Sequence, residues 1–165
     1  MSKITDKSAT SLLDYSTYKN NNTYVYDGVM YLHDSIIVRK AKQLMLSEDA
    51  RYAFSLAGYN TKTTRDRING VLRKLGYNAR LFTKDGDCWL QFKHCYFRVY
   101  QYSVFSIEKL HDCVYFWHLD RDDNLHCVGY RLDNYTVPCK VSDNRFNNYS
   151  ERNDYQHNQY LIGRI

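Results

Sequence analysis

A single proline and seven glycines in the whole chain leave no material for long flexible or low-complexity linkers. No apolar run is long enough to cross a bilayer, and the opening segment Met1 to Lys7 is polar, unlike a signal peptide. The five cysteines (Cys88, Cys95, Cys113, Cys127, Cys139) are odd in number and contain no CxxC pair. Neither a disulfide framework nor a structural zinc site is expected, and free thiols in a reducing, cytoplasmic setting are the simplest account. Nucleophile elbow, phosphate loop and HExxH are absent as well. The one cluster with acid–base character is His118 and His126 with Asp120 or Asp122. The chain is therefore expected to be no enzyme and to carry no cofactor.

What is present is tyrosine, 17 copies against 7 phenylalanines, in 165 residues that fit one domain. Tyrosine buries ring area while its hydroxyl seeks a partner, so the surface should suit contacts. The net charge is +5 and the pI about 8.9. From Lys62 to Arg98 there are nine basic residues against three acidic ones, a balance of +6, which leaves −1 for the remainder. An acidic partner is expected there.

That basic segment belongs to the stretch from Ser47 to Gln91. Ala50, Ala53, Phe54 and Ala57 make an apolar stripe behind Ser47, which predicts a short helix. Gly58-Tyr59-Asn60 supplies a turn. Thr63 or Thr64 then caps a second helix, on which Ile68, Val71, Leu72 and Leu75 share one face and Gly76 is the stop. The other face carries Arg67, Asn69, Arg73 and Lys74. Two strands, Ala79 to Thr83 and Cys88 to Phe92, flank Asp85-Gly86, a strong hairpin signal. The expected fold class is α+β, a winged helix-turn-helix-like unit with additional antiparallel β-hairpins. The competing reading is an ordinary αβ core unit with a solvated basic helix face.

Residues 1–22 read as an N-terminal arm and 23–92 as a hairpin plus the winged-helix-like unit. Residues 93–141 read as a β-rich part of the same compact domain, and 142–165 as a polar tail. Asp27-Gly28 marks a hairpin between Thr23–Tyr26 and Val29–His33. Asp34 or Ser35 is placed to cap a helix running to Leu46, although Ile36-Ile37-Val38 favours a strand first. A third hairpin is expected between Cys113–His118 and Leu125–Leu132, with an edge strand near Pro138.

In the winged-helix reading, Arg67, Asn69, Arg73 and Lys74 face a groove, since arginine and asparagine match base edges. Lys62, Arg65, Arg80 and Lys84 are better placed for phosphates. Tyr96, Phe97, Tyr100 and Tyr102, near Lys93 and Arg98, would suit base stacking if they lay on an open sheet, and core packing otherwise. The His94-Cys95 and His126-Cys127 pairs fit no zinc spacing and read as ordinary packing thiols.

The segment Tyr59-Asn60-Thr61-Lys62-Thr63-Thr64-Arg65-Asp66-Arg67-Ile68-Asn69, with the hairpin carrying Trp89 and Leu90, resembles short bacteriophage proteins bearing a YNTxTTRxRxN motif. The resemblance covers about a fifth of the chain. It implies a phage or mobile-element origin and a place in the host cytoplasm. Small proteins of that kind act as regulators or as inhibitors of host defence, anti-CRISPR proteins among them. Two expectations follow. One is a non-enzymatic protein that binds nucleic acid or a nucleoprotein through its basic helix and wing, and the other is a protein–protein inhibitor of a host defence complex. The partner is then nucleic acid or a host nucleic-acid-binding protein, with no membrane, and a homodimer is compatible with either.

Overall fold

The computed structural model describes residues 2–40, 52–93, 95–108, 113–119, 125–132 and 135–138. Helix α1 spans Lys3–Asp14, with Ser2 as N-cap accepting from the Thr5 amide. Its buried face is Thr5, Ser8, Ala9 and Leu12, a helical spacing made mostly of small and polar side chains. That is why no apolar period shows in the sequence there.

An antiparallel meander follows: β1 (Tyr18–Asn20), β2 (Thr23–Tyr26), β3 (Val29–Leu32), β4 (Ser35–Lys40) and β5 (Tyr52–Ser55). Helix α2 (Lys62–Lys74) comes next, then β6 (Ala79–Lys84), β7 (Asp87–Phe92) and β8 (Cys95–Val99). The chain then returns to the first sheet through β9 (Val104–Glu108), β10 (Cys113–Leu119), β11 (Leu125–Leu132) and β12 (Tyr135–Pro138). Two sheets result, one of nine strands in the order β1-β2-β3-β4-β5-β9-β10-β11-β12 and one of three, β6-β7-β8.

This architecture corrects the winged helix-turn-helix. The first helix of that unit is a strand, β5, paired with β4 on one side and β9 on the other. Ala53 and Phe54 are both buried there, on opposite faces of the strand. The spacing of Ala50, Ala53 and Ala57 has the helical period, but two neighbouring strands supply the ladder that overrides it. The helix expected from Asp34 or Ser35 is likewise a strand through Lys40, as Ile36-Ile37-Val38 favours, and its remaining residues lie outside the described ones.

Other expectations hold. Asp27-Gly28 and Asp85-Gly86 turn their hairpins with both residues at positive φ, 49° and 73° in the first and 55° and 83° in the second. Nothing lies within 4 Å of a Cβ built on Gly86, so Gly86→Ala should cost only backbone strain, about 1–2 kcal/mol by denaturant midpoint. The third hairpin forms as β10 and β11, and β12 sits at the edge of the larger sheet. The strand expected near Pro138 ends at that residue, and the positions beyond it lie outside the described residues. On α2 the cap is Thr61, not the expected Thr63 or Thr64; of the expected apolar face Ile68, Val71 and Leu72 are fully buried, while Leu75 is the C-cap and only partly buried. The helix stops in a Schellman motif: Tyr77 N–H donates to the Leu72 carbonyl, and Gly76 lies at φ 75° and donates to Arg73.

One face of the large sheet holds the core. Val25, Met30, Val38, Phe54, Phe105 and Phe116 stand opposite one another in turn across β2, β3, β4, β5, β9 and β10, each at most 1% exposed. Helix α1 packs on β1 to β3 and on α2, which reaches β4 and β6. The small sheet adds its inner side, and the Phe97 ring lies 5.7 Å from that of Phe116.

Candidate functional site

The eight residues expected to form one basic surface are distributed over several. Arg67 is not on an exposed face: it is 7% exposed, its Nε donating to Thr23 Oγ1 at 3.0 Å and its Nη1 to Thr5 Oγ1 at 2.6 Å. Desolvation lowers its pKa, with Asp66 acting the other way. Asn69 is also engaged. Its Nδ2 donates to the Leu81 carbonyl at 2.9 Å and its Oδ1 accepts from the Leu81 amide at 2.6 Å, closing the free edge of β6. Both residues sit about 100° to either side of the apolar stripe. Because α1 and β6 flank α2, those sides are interfaces, and α1 is invisible to the sequence reading.

Arg65 is tied back to the Asn60 carbonyl and side chain, and Asn60 in turn donates to Gly86 O at 3.3 Å. Lys62 pairs with Asp66 at 2.7 Å and Lys74 with Asp6 at 2.8 Å, both at the surface, where such pairs contribute little. Arg73, Arg80 and Lys84 are exposed. Of the eight, Arg80 and Lys84 share a face with aromatic rings.

That face is the outer side of the small sheet. Alternation turns Leu81, Cys88, Leu90, Phe92, Phe97 and Val99 inward, all buried. It turns Arg80, Phe82 and Lys84 of β6, Trp89 and Gln91 of β7, and Tyr96 and Arg98 of β8 outward. Phe82, Trp89 and Arg98 are in register across the three strands, as are Arg80, Gln91 and Tyr96. Phe82 and Trp89 are half-buried and Tyr96 is 43% exposed, its ring edge-on to Phe82 at 6.0 Å. Arg80 lies over Phe82 at 5.1 Å and donates to Gln91 Oε1. Arg98 lies over Tyr100 at 4.6 Å and pairs with Asp87 at 2.8 Å. Three cations and one carboxylate thus frame three rings. Phe82 and Trp89 were absent from the expected site although the period-two pattern of β6 to β8 marks them, and Phe97, grouped with Tyr96 in the sequence reading, points into the core.

Beside this face an open cleft of about 960 Å³ lies at one end of the large sheet, where the start of β4, the end of β5 and the β8–β9 crossover meet. Asp87 and Arg98 line it from the small sheet, Arg39 and Trp117 from the large one. Cys88 also borders it, but burial pushes that thiol up to about 11, with Arg65 acting the other way, so it stays protonated and is no nucleophile. Cys88 and Cys95 are free thiols. Among the described residues no three His, Cys, Asp or Glu side chains gather as a metal site. His118 and His126 are register partners across β10 and β11, while Asp120, Asp122 and His94 lie outside the described residues.

Among the described residues no helix is long and apolar enough to cross a membrane. No curated protein and no solved structure matches the chain. A family model described as Kyanoviridae Gp96 protein does match, over residues 1–108, from α1 through the small sheet to the last residue of β9. That span is well over half of the 165 residues, and the chain belongs to the Kyanoviridae Gp96 family of phage proteins.

Proposed function

We propose that this phage protein is a non-catalytic binder of single-stranded nucleic acid, free or within a nucleoprotein, and that it works through the outer face of β6 to β8. The observation that carries the reading is the set of rings Phe82, Trp89 and Tyr96 on one accessible sheet face with Arg80, Lys84 and Arg98 among them. Unpaired bases stack on such rings whatever their sequence, and cations between the rings follow the backbone. A duplex has less to use here. The helix residues that would read a groove, Arg67 and Asn69, are already bonded within the protein.

Fluorescence anisotropy with a labelled single-stranded oligonucleotide tests this. Trp89→Ala and Phe82→Ala should each weaken binding by about 1–3 kcal/mol, the usual contribution of one stacked base. Three cations on phosphates would give log K against log salt a slope of about −2, since each contributes roughly −0.7 on single strands. No binding at low salt would dismiss the reading.

A second reading, inhibition of a host defence complex by protein–protein contact, is favoured by a separate feature. Tyr24 and Tyr26 are exposed on the outer side of β2, their rings nearly parallel at 6.3 Å, with Tyr31 5.8 Å from Tyr24. Tyrosine is a frequent anchor at protein interfaces. Tyr24→Ala with Tyr26→Ala would abolish a protein partner's binding and leave oligonucleotide binding unchanged.

A further inference from the structure

We propose that the cleft at the end of the large sheet holds a nucleotide phosphomonoester, the chemistry shared by a free nucleoside monophosphate and a phosphorylated strand end. The proposal deepens the reading of the sheet face and rests on it for the strand source, since Asp87 and Arg98 belong to both places.

Size is the first support. About 960 Å³ lies at the upper end of the roughly 300–1,000 Å³ usual for ligand sites. Charge is the second. Arg39 lines the cleft from near the end of β4, partly buried, and has no ion pair or hydrogen bond among the described residues. Among the described residues it thus has no counter-charge, whereas Arg98 has Asp87 and a tyrosine ring. A guanidinium in that state suits a bidentate partner, and a phosphomonoester presents two oxygens in matching geometry. Asp34, the cleft's other carboxylate, lies outside β4, five residues earlier in the turn before the strand, at most roughly 16 Å away at about 3.3 Å per residue. Arg39 thus gives the cleft a positive group of its own, and Asp34 is available to donors elsewhere on the ligand.

Aromatic surface is the third support. Trp117 is held by its indole N–H, which donates to Ser106 Oγ at 3.0 Å. It stands three strands and two residues of register from Arg39, roughly 16 Å at about 4.8 Å per strand and 3.4 Å per residue, with the small Ala53 and Ser55 between them on the cleft wall. Tyr102, also on the cleft lining, is 78% exposed and its ring rests on Gly58, where an added Cβ would come within 2.9 Å of its hydroxyl. One ring is fixed, one is accessible, and both border the space a base would enter.

The test uses the full chain with three probes, AMP and one short oligonucleotide carrying either a 5′-phosphate or a 5′-hydroxyl, together with Arg39→Gln. If the cleft holds a strand end, the phosphorylated oligonucleotide binds at least tenfold tighter than its hydroxyl twin. Arg39→Gln then removes that preference while hydroxyl-oligonucleotide binding stays unchanged. If it holds a free nucleotide, AMP binds, Arg39→Gln abolishes this, and the two oligonucleotides do not differ. Equal oligonucleotide affinities with no AMP binding overturn the cleft proposal and leave the sheet-face reading standing. Binding of AMP without any oligonucleotide binding overturns the sheet-face reading and leaves the cleft. An AMP affinity or phosphate preference that survives Arg39→Gln also overturns the proposal as stated.

Discussion

Arg67→Ala should destabilise the protein by on the order of 3 kcal/mol, because hydrogen bonds to a charged group contribute about 1.5–3 kcal/mol and the aliphatic stem is lost with them. The guanidinium joins three elements, bonding to Thr5 of α1 and Thr23 of β2 from its place on α2. Without it the two threonine hydroxyls, 2% and 0% exposed, lose that donor inside the core. Arg67→Lys should recover only part of the loss, since one ammonium does not reproduce the planar fork. Arg73→Ala, exposed on the same helix, is the control and should stay within about ±0.5 kcal/mol. Equal denaturant midpoints for Arg67→Ala and Arg73→Ala would show that Arg67 is not the latch described.

The second large effect is expected at the centre of the main sheet. Phe54→Ala should cost about 3–5 kcal/mol, the usual range for emptying a buried aromatic site. Phe54 is 0% exposed, lies directly between Val38 and Phe105 in the ladder, and has its ring 5.3 Å from that of Phe105. Strands on both sides prevent the site from collapsing. Thermal or chemical unfolding reads the result, and a loss below about 1 kcal/mol would contradict the packing.

These two residues also mark what the sequence revealed. Turns were legible because their chemistry is local: Asp-Gly at 27–28 and 85–86 demands positive φ whatever surrounds it. Helix α2 was legible because Ile68, Val71 and Leu72 repeat at its own period. Strand β5 was not, since four residues, Tyr52–Ser55, are too few to outvote the alanine spacing around them. Its identity comes from β4 and β9, which the sequence does not place beside it. Helix α1 hid behind Thr5 and Ser8, polar residues that satisfy themselves within the helix or against Arg67. From that omission followed the error at Arg67: with no helix on its flank, the side chain looked solvated. At the candidate site the arginines drew attention to α2, whereas the rings that give the small sheet its binding character needed the register of β6 to β8 to become a set.

Ser55 and Val104 are partners across β5 and β9 although 49 positions separate them (104 minus 55). Closing a flexible loop of that length costs roughly 3–4 kcal/mol of chain entropy. The excursion is not flexible, however, because α2 packs on β6, β6 on β7 and β7 on β8, a unit of low contact order. Once folded, that unit brings its two ends near each other and lowers the closure cost of the large sheet. The part of the molecule that presents Phe82, Trp89 and Tyr96 thus also acts as the staple that lets the two halves of the main sheet find one another.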